Sequence, residues 1–323
     1  MTTKFCKAQA SSLLLALVMP FTAAAAAPVT TAPSVAPTNL AASASGAGTA
    51  AAVFAEKKAQ EQTAEKRKQI NAEALAAINE TRNALMSLDS GNNAEALAAL
   101  ERATGKLELI LARDPAVALA PTTVGATTFN LLADLDRVKE LRRQAQRLLD
   151  DGQVQAARLI LDALASETVI SVSNIPLVTY PAAIKATVKL IDDGKQEEAK
   201  KVLQTALNTL VVTETVIPLP VVGAQESLKE AEKLAEKPAR SADETNKMNG
   251  LMAEARRQLE FAEVLGYGTK RGFKELYSQM DEIKSKASNG KSGFGFFDKI
   301  KASISAMLRF SQAGNKTANK TRP

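Results

Sequence analysis

The chemistry that this chain can perform is limited by the residue types that it lacks. It contains no histidine and no tryptophan, and its only cysteine is Cys6. Imidazole bases, thiolate nucleophiles and His/Cys zinc sites are therefore excluded after Cys6. Carboxylate, lysine, serine and tyrosine chemistry remains, but no convergent set of such groups is visible. We predict a protein without catalytic residues, cofactor or metal, which is not an enzyme.

Two acidic pairs, Asp150-Asp151 and Asp192-Asp193, are the strongest candidates for a metal site. Carboxylate oxygens are the ligands that Ca²⁺ and Mg²⁺ prefer. However, neither pair lies in a loop that supplies ligands from alternate residues, and both fall where a helix turns. We interpret them as solvated turn residues.

Three residues are candidates for ligand contact or for a pH response. Tyr267 lies in GYGTKRG, residues 266–272, which loosely resembles a phosphate-binding loop but lacks the Walker spacing and is better read as an interhelical turn. Tyr180 is a second aromatic candidate. Glu214 lies among β-branched residues, where an exposed carboxylate would discourage edge pairing and a buried one would have a raised proton affinity.

The N-terminal residues predict export. Lys4 and Lys7 precede the apolar run SSLLLALVMPF and an alanine tract, which is the order of a cleaved secretory signal at residues 1–26. Residues 27–52, rich in Ala, Pro and Thr, predict a disordered linker, because they offer little apolar surface to bury. We expect a folded domain at residues 53–310, a polar basic tail at 311–323, and a periplasmic location.

The basic character of the chain is concentrated at its ends. The formal net charge is +6. Most of it comes from terminal residues, namely Lys4, Lys7, Lys316, Lys320 and Arg322. A nucleic-acid-binding protein would be expected to concentrate basic residues on a folded face. We therefore predict no nucleic-acid partner.

An internal repeat gives the strongest structural signal. The segment LLDDGQVQAARLILDALASETVISVSNIPL, from Leu148, matches LIDDGKQEEAKKVLQTALNTLVVTETVIPL, from Leu190, and a weaker copy of its turn surrounds Gly91. Each long copy reads as helix, glycine turn, helix and extended segment, ended by Pro176 or Pro218. We predict a mainly α fold: an antiparallel helical bundle built on helix-turn-helix repeats, with a two-stranded antiparallel β-ribbon.

The last helix, predicted over Phe296 to Arg309, has an apolar stripe that includes Phe297, Ile300, Ile304 and Met307. Such a stripe packs on its own bundle or on a second copy, and weak contact with a membrane surface is the alternative.

The repeat, its endings NIPL and VIPLP and the following AQESLKEAEKLAEK resemble the YfdX family of exported bacterial proteins, roughly from Thr63 to Ser285. This resemblance implies a periplasmic, mostly helical protein with a small β-ribbon, produced in acid- or drug-stress responses, without an established enzymatic activity. It supplies no catalytic residues.

Two functions follow as hypotheses. In the first, a stress protein binds other proteins, as a holdase for unfolded clients, through apolar faces of its helices, and we expect it to form a homo-oligomer. In the alternative, it binds a drug-like small molecule in an interhelical pocket near Tyr180 or Tyr267. Because histidine is absent, a response to acid would have to act through Asp and Glu.

Overall fold

A computed structural model of the chain describes the backbone of residues 46–287 and 291–318, and the side chains of residues 53–287 and 291–308. The predicted signal peptide lies outside the described residues. So does residue range 27–45 of the predicted linker, but residues 46–52 are helical. Eleven helices and three strands lie in the described part of the chain. In chain order they are α1 (Gly46–Lys68), α2 (Ala72–Asp89), α3 (Asn93–Arg113), β1 (Leu119–Phe129), α4 (Leu135–Asp150), α5 (Val154–Ala163), β2 (Glu167–Pro176), α6 (Tyr180–Asp192), α7 (Gln196–Asn208), β3 (Val211–Pro218), α8 (Leu219–Ala235), α9 (Ala242–Leu265), α10 (Lys270–Ala287) and α11 (Asp298–Ala318).

The predicted mainly helical fold is confirmed, but the sheet has three antiparallel strands in the order β1-β2-β3, so the prediction of a two-stranded ribbon was wrong. The predicted partners β2 and β3 do pair, with Val169 opposite Val216 and Asn174 opposite Val211. The additional strand, β1, pairs with the other edge of β2. A third strand is physically favourable because a lone ribbon is only marginally stable in water.

The two faces of the sheet differ in burial. On β2, Thr168, Ile170, Val172 and Asn174 are buried. The residues that alternate with them, from Glu167 to Ser173, are only partly buried. Side chains alternate between faces along a strand, so one face of the sheet is covered and the other is partly open. Ile170 of the covered face belongs to a core cluster with residues of α1, β3 and α8.

The order helix, glycine turn, helix, strand occurs three times in the described residues. The turn glycines, Gly91, Gly152 and Gly194, have φ angles of 74°, 74° and 73°, which non-glycine residues rarely adopt. The residue after each glycine donates a backbone hydrogen bond of 2.8 Å to the carbonyl five positions earlier, as in a Schellman cap. All three turns are therefore closed in the same way. We name the helix pairs hairpin 1 (α2–α3), hairpin 2 (α4–α5) and hairpin 3 (α6–α7).

Hairpins 1 and 3 pack against each other. Helix α2 contacts α7, and α3 contacts α6. Their apolar faces share one core cluster, which includes Leu88, Leu100, Ile191 and Leu203. Hairpin 2 contributes no residue to this cluster.

A second core joins the last four helices. It includes Leu228 of α8, Leu259 of α9, Phe273 of α10 and Ile300 of α11. Helix α9 begins with a capping box, in which the Ser241 hydroxyl accepts a hydrogen bond from the Glu244 amide and the Glu244 carboxylate accepts one from the Ser241 amide.

Candidate protein-binding surface

Tyr180 lies in the core formed by hairpins 1 and 3, at the start of α6. Its side chain is almost fully buried. Burial raises the pKa of the phenol, and the neighbouring Thr81 hydroxyl and Arg82 guanidinium oppose this rise. A ligand could not reach this ring without opening the core, so the geometry does not support ligand contact at Tyr180.

Tyr267 closes the turn after α9 and reaches the start of β2. Its hydroxyl oxygen accepts a 2.9 Å hydrogen bond from the Ser166 backbone amide. Burial raises the pKa of Tyr267, and the negative charge of the adjacent Glu167 raises it further. The surrounding segment, residues 266–272, is an interhelical turn between α9 and α10, as the sequence predicted.

Glu167 connects Tyr267 with Glu214. Burial raises the pKa of the Glu167 carboxyl, the hydrogen bond from the Tyr267 side chain opposes this rise, and the charge of Glu214 adds to it. Glu214 itself is exposed on β3, opposite Ser171 and on the same face of the sheet as Glu167. Thus two of the three predicted candidates lie around Glu167, and Tyr180 lies elsewhere. No sequence pattern singled out Glu167, although its place at the start of a repeat strand is visible in the sequence.

This acidic group brings together a tyrosine and two carboxylates, and no cationic side chain contributes to the pKa shift of Glu167 or Tyr267. Groups of these types can share or exchange a proton. Within the described residues, no group of three or more acidic, histidine or cysteine side chains could hold a metal ion.

Two open cavities lie away from the candidate residues. One, of about 180 Å³, lies between α1 and the covered sheet face and is lined by Ala59, Thr63 and Thr168 among others. The other, of about 740 Å³, is an open groove along α3 beside Val188. Neither is lined by Tyr180, Glu214 or Tyr267. These two cavities therefore give no support to a ligand site at the three candidate residues.

Hairpin 2 presents the largest group of exposed apolar side chains on helices. Leu149, Val154, Leu159 and Leu161 are 40%, 56%, 70% and 45% exposed. We call these four residues the hairpin 2 surface. Phe129 and Leu132, which lie between β1 and α4, are also exposed. Val154 and Leu161, seven positions apart, lie on one face of α5, whereas Leu159 lies on a different face. Exposed apolar side chains grouped on one short element are typical of an interaction site.

Helix α5 is apolar on most of its circumference, with polar residues confined to Gln155, Arg158 and Asp162. Such a helix is normally buried. Here Ala157 is its only buried residue. The repeat predicts this helix but not its exposure, because the matching helix α7 is covered and sequence similarity alone does not distinguish the two environments.

The apolar stripe of α11 packs on its own chain. Phe297, Ile300 and Ile304 are buried in the second core, and Met307 lies at its edge. A membrane contact through this helix would require the stripe to leave that core. In addition, none of the described helices is long and apolar enough to cross a membrane.

Comparison with known proteins gives the same family as the resemblance drawn from the sequence. The family model described as YfdX protein matches residues 77–216. Over this segment the chain is similar to the YfdX family. The segment runs from within α2 into β3 and so contains hairpins 2 and 3, and it is narrower than the predicted range of Thr63 to Ser285.

Comparison with solved structures gives a further match. A solved structure of Salmonella Typhi YfdX matches with 15% identity over 46% of this chain and 93% of that chain, with a TM-score of 0.33. A TM-score this low carries no argument about the fold. No curated protein matches the chain.

Proposed function

We propose that this YfdX-containing chain is a non-enzymatic stress protein that binds other proteins through hairpin 2, at the part of its exposed apolar surface that includes Leu159. The observation that carries the proposal is the exposure of Leu159, which is 70% exposed at the position where hairpin 3 has Lys201. An apolar residue that replaces a solvated lysine gains nothing from water, but it can gain from contact with an apolar partner.

Holdase-like activity fits this surface better than recognition of one fixed partner. The exposed groups of hairpin 2 are aliphatic and lie on a short helix and its turn, without a deep pocket. Tight, specific interfaces usually centre on aromatic or arginine anchors that fill pockets. Aliphatic surface without such anchors suits weak binding to the exposed apolar segments of unfolded clients.

The cellular setting belongs to the same proposal. The order of charge, apolar run and alanine tract in residues 1–26 supports export to the periplasm with removal of that segment. The match to the YfdX family supports a role in acid or drug stress, because the resemblance to this family implies such a role. N-terminal sequencing of the protein from the periplasmic fraction would test the location, and an intact N-terminus in the cytoplasmic fraction would contradict it.

We also propose that the three units of hairpin and strand are copies of one repeat whose helices form an antiparallel bundle. The offset of 42 residues between the two long copies supports duplication, as do the matching glycine turns. The small-molecule alternative has less support, because the cavity of about 180 Å³ beside α1 is smaller than the ~300 Å³ at which drug-sized pockets begin, and the cavity of about 740 Å³ is an open groove along α3.

Light scattering by an unrelated, aggregating client protein tests the proposal. We expect the full chain to suppress aggregation, and Leu159→Asp to weaken the suppression severalfold because a charge replaces the exposed aliphatic group. The matched control is Val178→Asp, at another strongly exposed apolar residue, between β2 and α6. Val178→Asp should behave like the parent.

Two results would contradict this function. One is a parent protein that leaves client aggregation unchanged at equimolar concentration. The other is equal loss of suppression in Leu159→Asp and Val178→Asp, which would mean that general surface hydrophobicity, and not hairpin 2, holds the client.

A further inference from the structure

The packing of hairpin 1 on hairpin 3 provides a template for the unpaired hairpin 2. In this pairing, the residue three positions before each turn glycine is buried, Leu88 in hairpin 1 and Ile191 in hairpin 3. The residues nine positions after the glycines, Leu100 and Leu203, are fully buried. All four lie in one cluster, so the same positions of the two hairpins contribute to their shared core.

Polar contacts fix the arrangement of the template. Lys200 of hairpin 3 forms a 3.2 Å ion pair with Asp89 of hairpin 1. Lys200 lies six positions after Gly194, and Asp89 lies two positions before Gly91. The Gln196 side chain donates a hydrogen bond to the Asn93 side chain, and each of these lies two positions after its glycine. Equivalent positions therefore face each other at Gln196 and Asn93, as they do near a two-fold axis.

Hairpin 2 has the residues for the same pairing but no partner hairpin within the described chain. Two residues of hairpin 2 match the buried template residues: Leu149, three positions before Gly152, and Leu161, nine positions after it. They are 40% and 45% exposed. The position that matches Gln196 and Asn93 is Val154, an exposed apolar residue where a two-fold axis would bring two identical side chains together.

The charges of hairpin 2 are also complementary to themselves. Arg158 occupies the position of Lys200, and Asp150 occupies the position of Asp89. Both are exposed, and within the chain Arg158 has a 3.7 Å contact with Asp162. In a two-fold pair, Arg158 of one copy would lie beside Asp150 of the other, twice per dimer.

We infer that hairpin 2 pairs with hairpin 2 of a second copy of this chain, in a two-fold dimer that reproduces the packing of hairpins 1 and 3. A second copy fits better than an unrelated partner, because hairpin 2 carries both halves of the apolar contacts and of the ion pair of the template, and Val154 would meet its own equivalent where the template has a hydrogen bond. An interface with this self-complementarity is what closed two-fold symmetry requires. Because a chain has three such hairpins, only two of them can pair with each other inside it. In a dimer, the remaining hairpin of each chain can pair with that of the other chain.

This inference goes beyond the proposed function, and the two fail separately. Leu159 matches Lys201, which stays exposed in the template, so Leu159 would remain outside the dimer and available to a client. A dimer test needs no client, and a client test on Leu159→Asp leaves the pairing intact.

Sedimentation of the full chain over a wide concentration range tests the pairing. We expect a monomer–dimer equilibrium that Leu161→Asp weakens at least about tenfold, the factor that corresponds to about 1.4 kcal/mol. Leu159→Asp, in the same helix, is the matched control and should leave the dissociation constant unchanged. Arg158→Asp should weaken the dimer, and adding Asp150→Arg should restore it.

Disulfide trapping gives a second readout on folded protein. In a Cys6→Ser background, Val154→Cys should form a crosslinked dimer on mild oxidation, whereas Val178→Cys should not. A monomer at all concentrations would overturn the inference, as would a dimer that Leu159→Asp and Leu161→Asp weaken equally, or crosslinking at both cysteines to the same extent.

Discussion

Leu161 and Leu203 stand at the same position after their turn glycines, yet Leu203 is fully buried and Leu161 is 45% exposed. The two residues belong to matching helices of one repeat, so their local sequence does not explain the difference. The difference comes from what packs on each helix: hairpin 1 covers Leu203, and no described element covers Leu161 in the same way.

This contrast predicts very different contributions of the two leucines to stability. Leu203→Ala should lower the free energy of unfolding by about 2–5 kcal/mol, because it leaves a cavity in a close-packed core. Leu161→Ala should lower it by less than about 1 kcal/mol in dilute solution, since water already reaches the side chain. Urea unfolding followed by circular dichroism at low protein concentration measures both.

Raising the protein concentration separates intrachain from interchain effects at these positions. The cost of Leu161→Ala should grow with concentration if hairpin 2 pairs with a second copy, whereas the cost of Leu203→Ala should not. Equal costs for the two variants in dilute solution would show that Leu161 is covered by its own chain.

Glycine substitutions provide a second prediction with opposite signs. Gly194 has a φ of 73° and no atom that an added Cβ would meet, so Gly194→Ala should cost about 1 kcal/mol through backbone strain alone. Gly105 lies in the middle of α3 and also has open space around it. Gly105→Ala should therefore stabilise the protein by about 0.5–1 kcal/mol.

Thermal unfolding at matched concentration compares these two variants with the parent. Gly194→Asn serves as the control, because asparagine tolerates the left-handed region better than alanine and should recover part of the loss. A neutral Gly194→Ala would mean that the turn can close in another conformation.

The sequence predicted β2 and β3 but not β1, and the reason is visible in the residues. Strand β2 begins 15 positions after Gly152 and β3 begins 17 positions after Gly194, whereas β1 begins 28 positions after Gly91. Helix α3 is longer than α5 and α7, so the first strand does not lie at the repeat position where β2 and β3 begin. Pro121 and Gly125 also weaken the strand signal in β1.

The candidate surface was harder to predict than the helices, because burial depends on tertiary packing. The apolar periodicity of α5 and α7 predicts helices with an apolar face, and both form. Periodicity does not say which face finds a partner. Likewise, Glu214 and Tyr267 could be named from the sequence, but Glu167, which brings them together, depends on the sheet register and the position of the α9 turn.

Arg240 gives a third prediction, which concerns how the second core is closed. Its guanidinium donates hydrogen bonds to the carbonyls of Leu234 (3.1 Å) and Ala235 (2.8 Å) through Nη1, and to those of Ala287 (3.1 Å) and Lys291 (2.8 Å) through Nη2. These carbonyls lie at the ends of α8 and α10 and in the segment before α11, so one side chain joins three elements.

Arg240→Lys should destabilise the protein by about 3 kcal/mol, because a single ammonium group cannot reach both pairs of carbonyls and buried acceptors lose their donors. Arg137→Lys, at an exposed arginine of α4, is the matched control and should stay within about 0.5 kcal/mol of the parent. Denaturant unfolding measures both, and a stable Arg240→Lys would mean that water or the backbone replaces these donors at little cost.

Glu167 gives the last prediction, a pH dependence of stability. Burial and the charge of Glu214 raise its folded pKa above the ordinary value of 4.5, although the Tyr267 hydrogen bond opposes the rise. From pH 4.5 upwards to this raised pKa, the folded state holds a proton that the unfolded chain has released, so the free energy of unfolding falls as the pH rises through that window. Glu167→Gln keeps an acceptor for Tyr267 but removes the titration.

We therefore expect the stability of Glu167→Gln to fall less than that of the parent between about pH 4.5 and 7, with Glu214→Gln showing a smaller effect in the same direction. Glu275→Gln, at an exposed carboxyl of α10, is the control and should follow the parent. Urea unfolding at a series of pH values gives the slopes. A slope that Glu167→Gln leaves unchanged would show that the carboxyl is already ionised across this range, and that the acidic group beside Tyr267 does not respond to mild acid.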